Sequence, residues 1–366
     1  EGQVDMVTDS TFRERRADKD WAWKDSARGN FSNDSSYAAV AAFLMLEFDL
    51  LEWGDNVLIS QVGSRLSHFR ASAAGVPGIG DLDYNHTGVV GSAGLRLLHG
   101  RHLMAYLNGS QGFRAPNLQE VTVLGDTGSK FEVPNADLAP ERSDALEIGG
   151  RWRLGDAEVH AAGYINLVSD FIDEKELSQS EWQQLGLDPA DVGSKPVAQR
   201  VNSASGLFYG AEATVRAPRI RRVQPWLRAA WIHGEIDRGG ESVPARRSPP
   251  LLGAGGLRYD APDKRWHLGL FSRFAGAQDR LHPSDESDLR MCEDPEHPGK
   301  TYKDGGQACP GSPSWWTLNV RGGYAFTKQL RLDASLNNAL DAQYRSHGSG
   351  YDEAGVGVAA SLVGQF

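Results

Sequence analysis

The chain has 366 residues, of which 40% are hydrophobic and 23% charged, with 42 glycines, ten tryptophans and ten tyrosines. It is too apolar for a disordered polymer, and the glycine and aromatic content suits strands, tight turns and wide loops better than a helical bundle. A formal net charge of -10 excludes a nucleic-acid footprint, which needs a basic face to neutralise phosphates.

The chain opens on "EGQVDMVTDSTFRERR", without the basic, apolar, small-residue order of a signal peptide, so mature sequence and fragment both stay open. Residues 1–36 read as the remnant of an outer loop. The longest apolar run, "YAAVAAFLML" from Tyr37 to Leu46, is half the roughly 20 residues of a membrane helix and reads as a strand. Period-two alternation then predicts about thirteen strands, near 37–48, 57–70, 87–98, 102–113, 143–154, 157–170, 199–215, 223–236, 249–260, 265–276, 314–326, 329–342 and 353–366. In "AEVHAAGYINLV", Val159, Ala161, Ile165 and Leu167 alternate with Glu158, His160, Tyr164 and Asn166. In "WWTLNVRGGYAF", Trp316, Leu318, Val320 and Tyr324 face away from Thr317, Asn319 and Arg321. In "QLRLDASLNN", Leu330, Leu332, Ala334 and Leu336 oppose Arg331, Asp333, Ser335 and Asn337.

The connections alternate strictly between short ("LLEWGDN", "HGR", "GD", "RAPRIRR", "APDK", "TK") and long (71–86, 114–142, 171–198, 237–248, 277–313, 343–352). A soluble sandwich scatters its loop lengths over both ends, whereas a transmembrane barrel keeps tight turns inside and long loops outside. Trp315, Trp316, Tyr324 and Phe326 stand toward the two ends of one strand, where interfacial aromatics belong. The expected fold is therefore all-β: an antiparallel transmembrane β-barrel. The count of thirteen is odd, and strand 37–48 is followed by a short turn, so its hairpin partner is expected to be missing and the barrel partial.

The segment "SQGFRAPNLQEVTVLGDTGSKFEVPNADLAPERSDALEIGGRW" resembles the barrel of TonB-dependent outer-membrane receptors. There a "FRAP" strand end, an outer loop and an "NPDL.PE" segment lead into a strand reading "YELG". The matching residues are Phe113 to Pro116, Asn135 to Leu138 with Pro140 and Glu141, and Leu146 to Gly149; Ala136 and Leu146 depart from the pattern. "NSASGLFYGAEATV" resembles a further family strand, and "LNNALDAQYRSHGSGYDEAGVGVAASLVGQF" the last hairpin, usually written "ENLFDKRYR". The resemblance runs from about Lys24 to Phe366 and implies that residues 37–366 are the C-terminal part of a barrel of about 22 strands, whose plug domain is not seen. It also implies that Phe366 is the address read by the barrel-insertion machinery. Further implied partners are the TonB complex acting through the plug, outer-membrane lipid and lipopolysaccharide, and a small chelated ligand.

Two cysteines in an exported loop, Cys292 and Cys309, are expected to form a disulfide; a metal pair with His297 fits no zinc spacing. The acidic residues around them (Asp285, Glu286, Asp288, Glu293, Asp294, Glu296) lack the interleaving of a calcium loop and read as a solvated acidic loop. Arg114 and Asn117, at the outer end of a strand, contact ligand or anchor the loop. Arg345 and His347, in the last outer loop, are ligand contacts or surface residues among turn-forming glycines. Haem receptors of the family place a histidine between the "FRAP" and "NPDL" segments, and this chain has none between Pro116 and Asn135. No catalytic motif, resident metal or cofactor site is evident. The expected function is TonB-dependent uptake of a ferric siderophore or cobalamin-like ligand across the outer membrane of a Gram-negative bacterium. A passive porin is the alternative, and an outer-membrane hydrolase the third reading.

Overall fold

A computed structural model describes residues 2–7, 12–15, 23–26, 34–76, 80–127, 130–187, 189–193 and 195–365. Its frame is one antiparallel meander: β1 (Gly2–Val7), β2 (Ser35–Trp53), β3 (Asn56–Val76), β4 (Gly80–His99), β5 (Leu103–Arg114), β6 (Glu141–Leu154), β7 (Ala157–Leu177), β8 (Val197–Arg216), β9 (Val223–Arg238), β10 (Leu252–Asp260), β11 (Trp266–Ala275), β12 (Trp315–Ala325), β13 (Leu330–Asn337) and β14 (Gly357–Gly364). Each strand pairs with the next. Among the described residues, no register joins β14 back to β1, and the sheet is open. No helix in the described residues is long and apolar enough to cross a membrane.

All thirteen expected strands are present, and three details are corrected. The strand beginning near residue 37 does have a neighbour: β1 pairs with it from Gly2 opposite Val40 to Val7 opposite Ser35. The stretch taken as an outer loop, residues 1–36, thus contributes a strand to the sheet, together with a small separate hairpin of Phe12–Arg15 and Trp23–Ser26. "LLEW" is strand rather than turn, because Gly54, with φ of 55°, reverses the chain within two residues. Most of the supposed loop 71–86 is ladder, from Ser72 opposite Asp83 to Val76 opposite Gly80. The terminal Phe366 lies outside the described residues.

Strand length explains the ribbon. A tilted strand crosses the hydrocarbon in about 9–11 residues. β2, β3, β4, β7 and β8 have 19, 21, 20, 21 and 20. Since their inner ends stop at short turns, the excess stands outside the membrane and carries the loops.

The register sorts the side chains into two faces. One carries Leu66, Val89, Leu95, Leu107, Ile148, Ile165, Leu268, Leu270, Val320, Leu332 and Leu362 in cross-strand contact. Many of these large apolar groups are exposed, Val89 by 67% and Ile148 by 64%, as expected of a surface solvated by lipid chains. Trp53, Trp152 and Trp266 mark its inner border, and Trp231 and Trp316 its outer border. Trp316 and Tyr324 are eight positions apart on β12, about 26 Å along a strand. The other face is polar and tied by ion pairs across strands: Arg96 to Glu47 at 3.0 Å, and Arg151, Arg153 and Arg216 around Glu158 at 2.9, 3.0 and 3.1 Å.

The two faces predict opposite tolerance to charge. Leu270→Arg, mid-strand on the apolar face, costs about 2–4 kcal/mol, whereas Gln61→Arg, on the polar face beside Glu47, stays within about 0.5 kcal/mol. Urea-dependent refolding of the complete protein into lipid vesicles measures both; equal losses contradict the face assignment.

Candidate functional site

At the outer end of β5, Phe113 stacks its ring on Gly88, where a Cβ would come within 2.5 Å of it, and meets Phe69 edge-on at 5.5 Å. Gly88 therefore makes the space that fixes the strand end. The next residue, Arg114, donates two hydrogen bonds of 2.8 Å to Glu141, its cross-strand partner at the start of β6, and one of 2.8 Å to Glu120. Asn117 caps the helix Leu118–Thr122: its Oδ1 accepts from the Glu120 amide at 2.9 Å, while the Glu120 carboxylate accepts from the Asn117 amide at 2.9 Å. Both residues are engaged in the framework of their own loop. Further on, Asn135 donates to the Arg200 carbonyl at 2.7 Å, and Leu138 is inserted beside Val76, Leu82, Val121 and Ile172 in a small core under the loop. The "FRAP" and "NADLAPE" segments thus act as two feet of one loop.

The longest loop is folded by its charges. Asp285, 1% exposed, accepts from Arg246 Nε at 3.2 Å and from the Arg247 amide at 2.7 Å. Asp288 accepts from Arg290 and Arg247, and the Arg290 guanidinium holds its carboxyl down at about 2. Asp294 pairs with His297 at 2.7 Å. The expected solvated acidic loop is in fact an internally paired one; the sequence shows the residue types but not these contacts, which join positions as far apart as Arg246 and Asp285. Cys292 and Cys309 are bonded, and Cys292 is buried with Leu281 and Met291. Among the described residues, no group of three His, Cys, Asp or Glu side chains is placed to hold a metal ion.

Arg345 pairs with Asp352 at 2.7 Å and lines a cavity of about 450 Å³ under the disulfide, with Met291, Tyr302, Pro310 and Ser312. His347 meets the Ser312 hydroxyl at 2.9 Å and faces a larger cavity of about 710 Å³ on the polar side of the sheet. The Ser312–His347 contact therefore stands between the two. Arg114 and Asn117 line neither cavity. The large cavity is walled by β5 to β12 and contains Tyr106, Glu212, Arg228 and Arg273, which motif reading missed, and Trp315, one of the expected interfacial aromatics, which its register opposite Ala275 turns to the polar side. They lie on five different strands, and only alternation marks them as polar-face positions.

A meander with one lipid-facing apolar side, one polar side around a cavity, and long loops at a single end defines an outer-membrane barrel. Residues 3–339 match the family described as TonB dependent receptor-like, beta-barrel, and the chain belongs to it. Among curated proteins it is similar to the hemoglobin-haptoglobin utilization protein B of Neisseria meningitidis, with 24% identity over 217 residues, 55% of this chain and 27% of that protein. Among solved structures it is similar to the copper transporter OprC (TM-score 0.69, 16% identity, 97% of this chain and 51% of that one). It is also similar to the Serratia marcescens hemophore receptor HasR (TM-score 0.66, 16% identity, 94% and 54%). The chain spans about half the length of those structures and about a quarter of the curated relative.

Two predictions follow from the loops. Mass spectrometry of an unreduced digest finds Cys292 and Cys309 in one linked pair, and replacing both by Ser costs about 3 kcal/mol in the chain-entropy account of a 17-residue separation. Free thiols at both positions contradict the pairing. Burial, opposed by a smaller pull from Asp285, holds the His347 imidazole below its ordinary value of 6.5. Its folded state thus favours the neutral ring, so this contribution is complete above about pH 6.5 and is lost as the pH falls below it. Protection factors across residues 338–356, that is, exchange corrected for its intrinsic slowing with falling pH, should drop from pH 7.5 to 5.5 in the native protein, and not in His347→Asn.

Proposed function

We propose that this chain supplies the wall and outer capture loops of a TonB-dependent receptor in the outer membrane of a Gram-negative bacterium, importing a scarce chelated nutrient of the ferric siderophore or cobalamin kind. The observation that carries this reading is the family match over residues 3–339. The cavity on the polar side supports it, since about 710 Å³ falls in the range of small-molecule sites. In this reading ligand arrives at the loops, a plug domain within the barrel moves when the TonB complex pulls on it, and lipopolysaccharide bathes the apolar face. Phe366 serves as the address for the insertion machinery. Family members are receptors and transporters, and no catalytic role is proposed.

Haem belongs in the test, because haemoglobin–haptoglobin and haem stand in the names of similar proteins. Against it, the segment between Pro116 and Asn135 offers no histidine and inserts Val121 and Val133 into the loop cores. The complete receptor is expressed in a strain lacking its own receptors, and uptake of labelled ferric siderophore, cobalamin and haem is followed with and without TonB. Uptake of a ferric siderophore or cobalamin that requires TonB is the expected outcome. Equal uptake without TonB identifies a passive porin and overturns the proposal; haem alone as cargo overturns the ligand class.

A further inference from the structure

The chain is acidic overall, yet three neighbouring inner turns are basic. Turns 217–222 (β8 to β9), 261–265 (β10 to β11) and 326–329 (β12 to β13) carry six cations, Arg219, Arg221, Arg222, Lys264, Arg265 and Lys328, against one carboxylate, Asp263. Arg219 reaches Asp260 at 3.5 Å. The other five are exposed, and among the described residues none of them lies within ion-pair distance of an Asp or Glu. The carboxylates nearby are already engaged: Asp263 accepts from the Arg265 amide at 3.0 Å, Asp260 pairs with Arg258 as well as Arg219, and Asp333 pairs with Arg331. The turns are also joined to one another. The Arg222 carbonyl accepts from the Asp260 amide at 3.2 Å, and the Arg265 carbonyl from the Ala325 amide at 2.7 Å.

On the lipid side, the strand ends below these turns form an aromatic border. Tyr259 and Trp266 lie with ring centroids 5.1 Å apart, as do Tyr324 and Phe326. Past this border the register lowers the surface: Leu268 is opposite Gly322, and Gly322 opposite Ala334. On one side of that row stand Tyr324 and Leu332, on the other Val320, Leu336 and Val358. The result is an apolar groove of about 750 Å³. Gly322 is two residues from Tyr324, about 7 Å along the strand, so the groove lies in the inner half of a hydrocarbon layer about 30 Å thick.

We propose that this sector is a site for an anionic diacyl phospholipid of the inner leaflet, its phosphate held by Lys264, Arg265 and Lys328 with Arg221 and Arg222 beside them, and one acyl chain lying over Gly322 and Ala334. The inference rests on the barrel's place in the membrane and not on its cargo. Cations at the membrane surface attract anionic headgroups, and the groove adds apolar contact that only a lipid chain at that depth can fill. An acidic periplasmic protein is the other partner that five exposed cations would suit. The lipid is favoured because the cations sit on the same strand ends as the aromatic border and the groove.

The test places the complete receptor in phosphatidylcholine vesicles containing either dibrominated phosphatidylglycerol or dibrominated phosphatidylcholine, whose bromines quench a nearby indole. The signal of Trp266 is taken by difference from Trp266→Phe. Wild type is expected to reach half-quenching at an about 5-fold lower fraction of phosphatidylglycerol than of phosphatidylcholine, with the preference shrinking as salt rises. The variant Lys264→Gln, Arg265→Gln, Lys328→Gln should lose the preference. Ala334→Leu fills the groove from the exposed side of β13 and should raise the fraction of phosphatidylglycerol needed. Equal quenching by the two lipids in wild type, or an unchanged preference in the triple variant, overturns the site and leaves the uptake function standing; an unchanged value in Ala334→Leu overturns the seat of the acyl chain. A triple variant that keeps its lipid preference but loses TonB-dependent uptake assigns the turns to a periplasmic protein, and the proposal is overturned.

Discussion

The constraint behind this structure is that backbone amides and carbonyls in hydrocarbon must find partners among themselves, since each one left unpaired costs several kcal/mol. A meander of neighbouring antiparallel strands meets that demand with the shortest connections, and every strand here pairs with the next in sequence. The same demand fixes register. In β12, a slip of one residue would carry Arg321 into lipid and bring Val320 to the polar side, so the alternation that places the strand also holds it. The inner ends, at connections of two residues (Gly54–Asp55) to six (217–222), leave little slack, and length beyond the membrane accumulates outside.

From this division the loops inherit their chemistry. On the lipid side, strands need only be apolar; on the polar side, they gain specificity by pairing charges across neighbours. At the strand ends the same charges fasten loops: Arg114 stands opposite Glu141 because β5 and β6 are in register there, and the loop between them then adds Glu120 and its own helix cap. Exposed surface pairs contribute little individually. Here the geometry is shared among four groups, Arg114, Asn117, Glu120 and Glu141, which positions the loop base more than it stabilises the protein.

How much of this was legible depends on whether the information is local. Period-two alternation is local, and all thirteen strands could be read from it, with the rhythm of their connections except at 71–86, where most of the expected loop is ladder. β1 could not, because Gly2–Val7 is six residues long and is made a strand by the partner that receives it, Ser35 to Val40. Likewise the ribbon of Ser72 to Val76 reads as loop, with its small residues and Gly75, until Asp83 and Leu82 pair with it. The disulfide was legible because two cysteines allow one pairing. The carboxylates of the acidic loop were visible as charge, but not their partners, which are Arg290 and His297 within the loop itself and Arg246 and Arg247 in the preceding outer loop.

The cavity shows most plainly where local reading ends. Tyr106, Glu212, Arg228, Arg273 and Trp315 belong to no motif, and nothing in the stretch around each distinguishes it from other polar-face positions such as Asn108 or Thr317. What separates them is the row each occupies, which follows from the summed registers of all intervening strands. Arg228 comes within reach of the cavity that Arg273 borders only if β9, β10 and β11 each pair as observed; a shift of two residues at either ladder would keep both faces correct and still move the guanidiniums apart. Hydrophobic patterning fixes the parity of a register, while the tight inner turns fix its absolute value. Of the two ladders that bring Arg228 and Arg273 into one row, the inner turn 261–265 fixes β10 against β11, while β9 and β10 are joined by the outer connection 239–251 and take their register from the pairing itself.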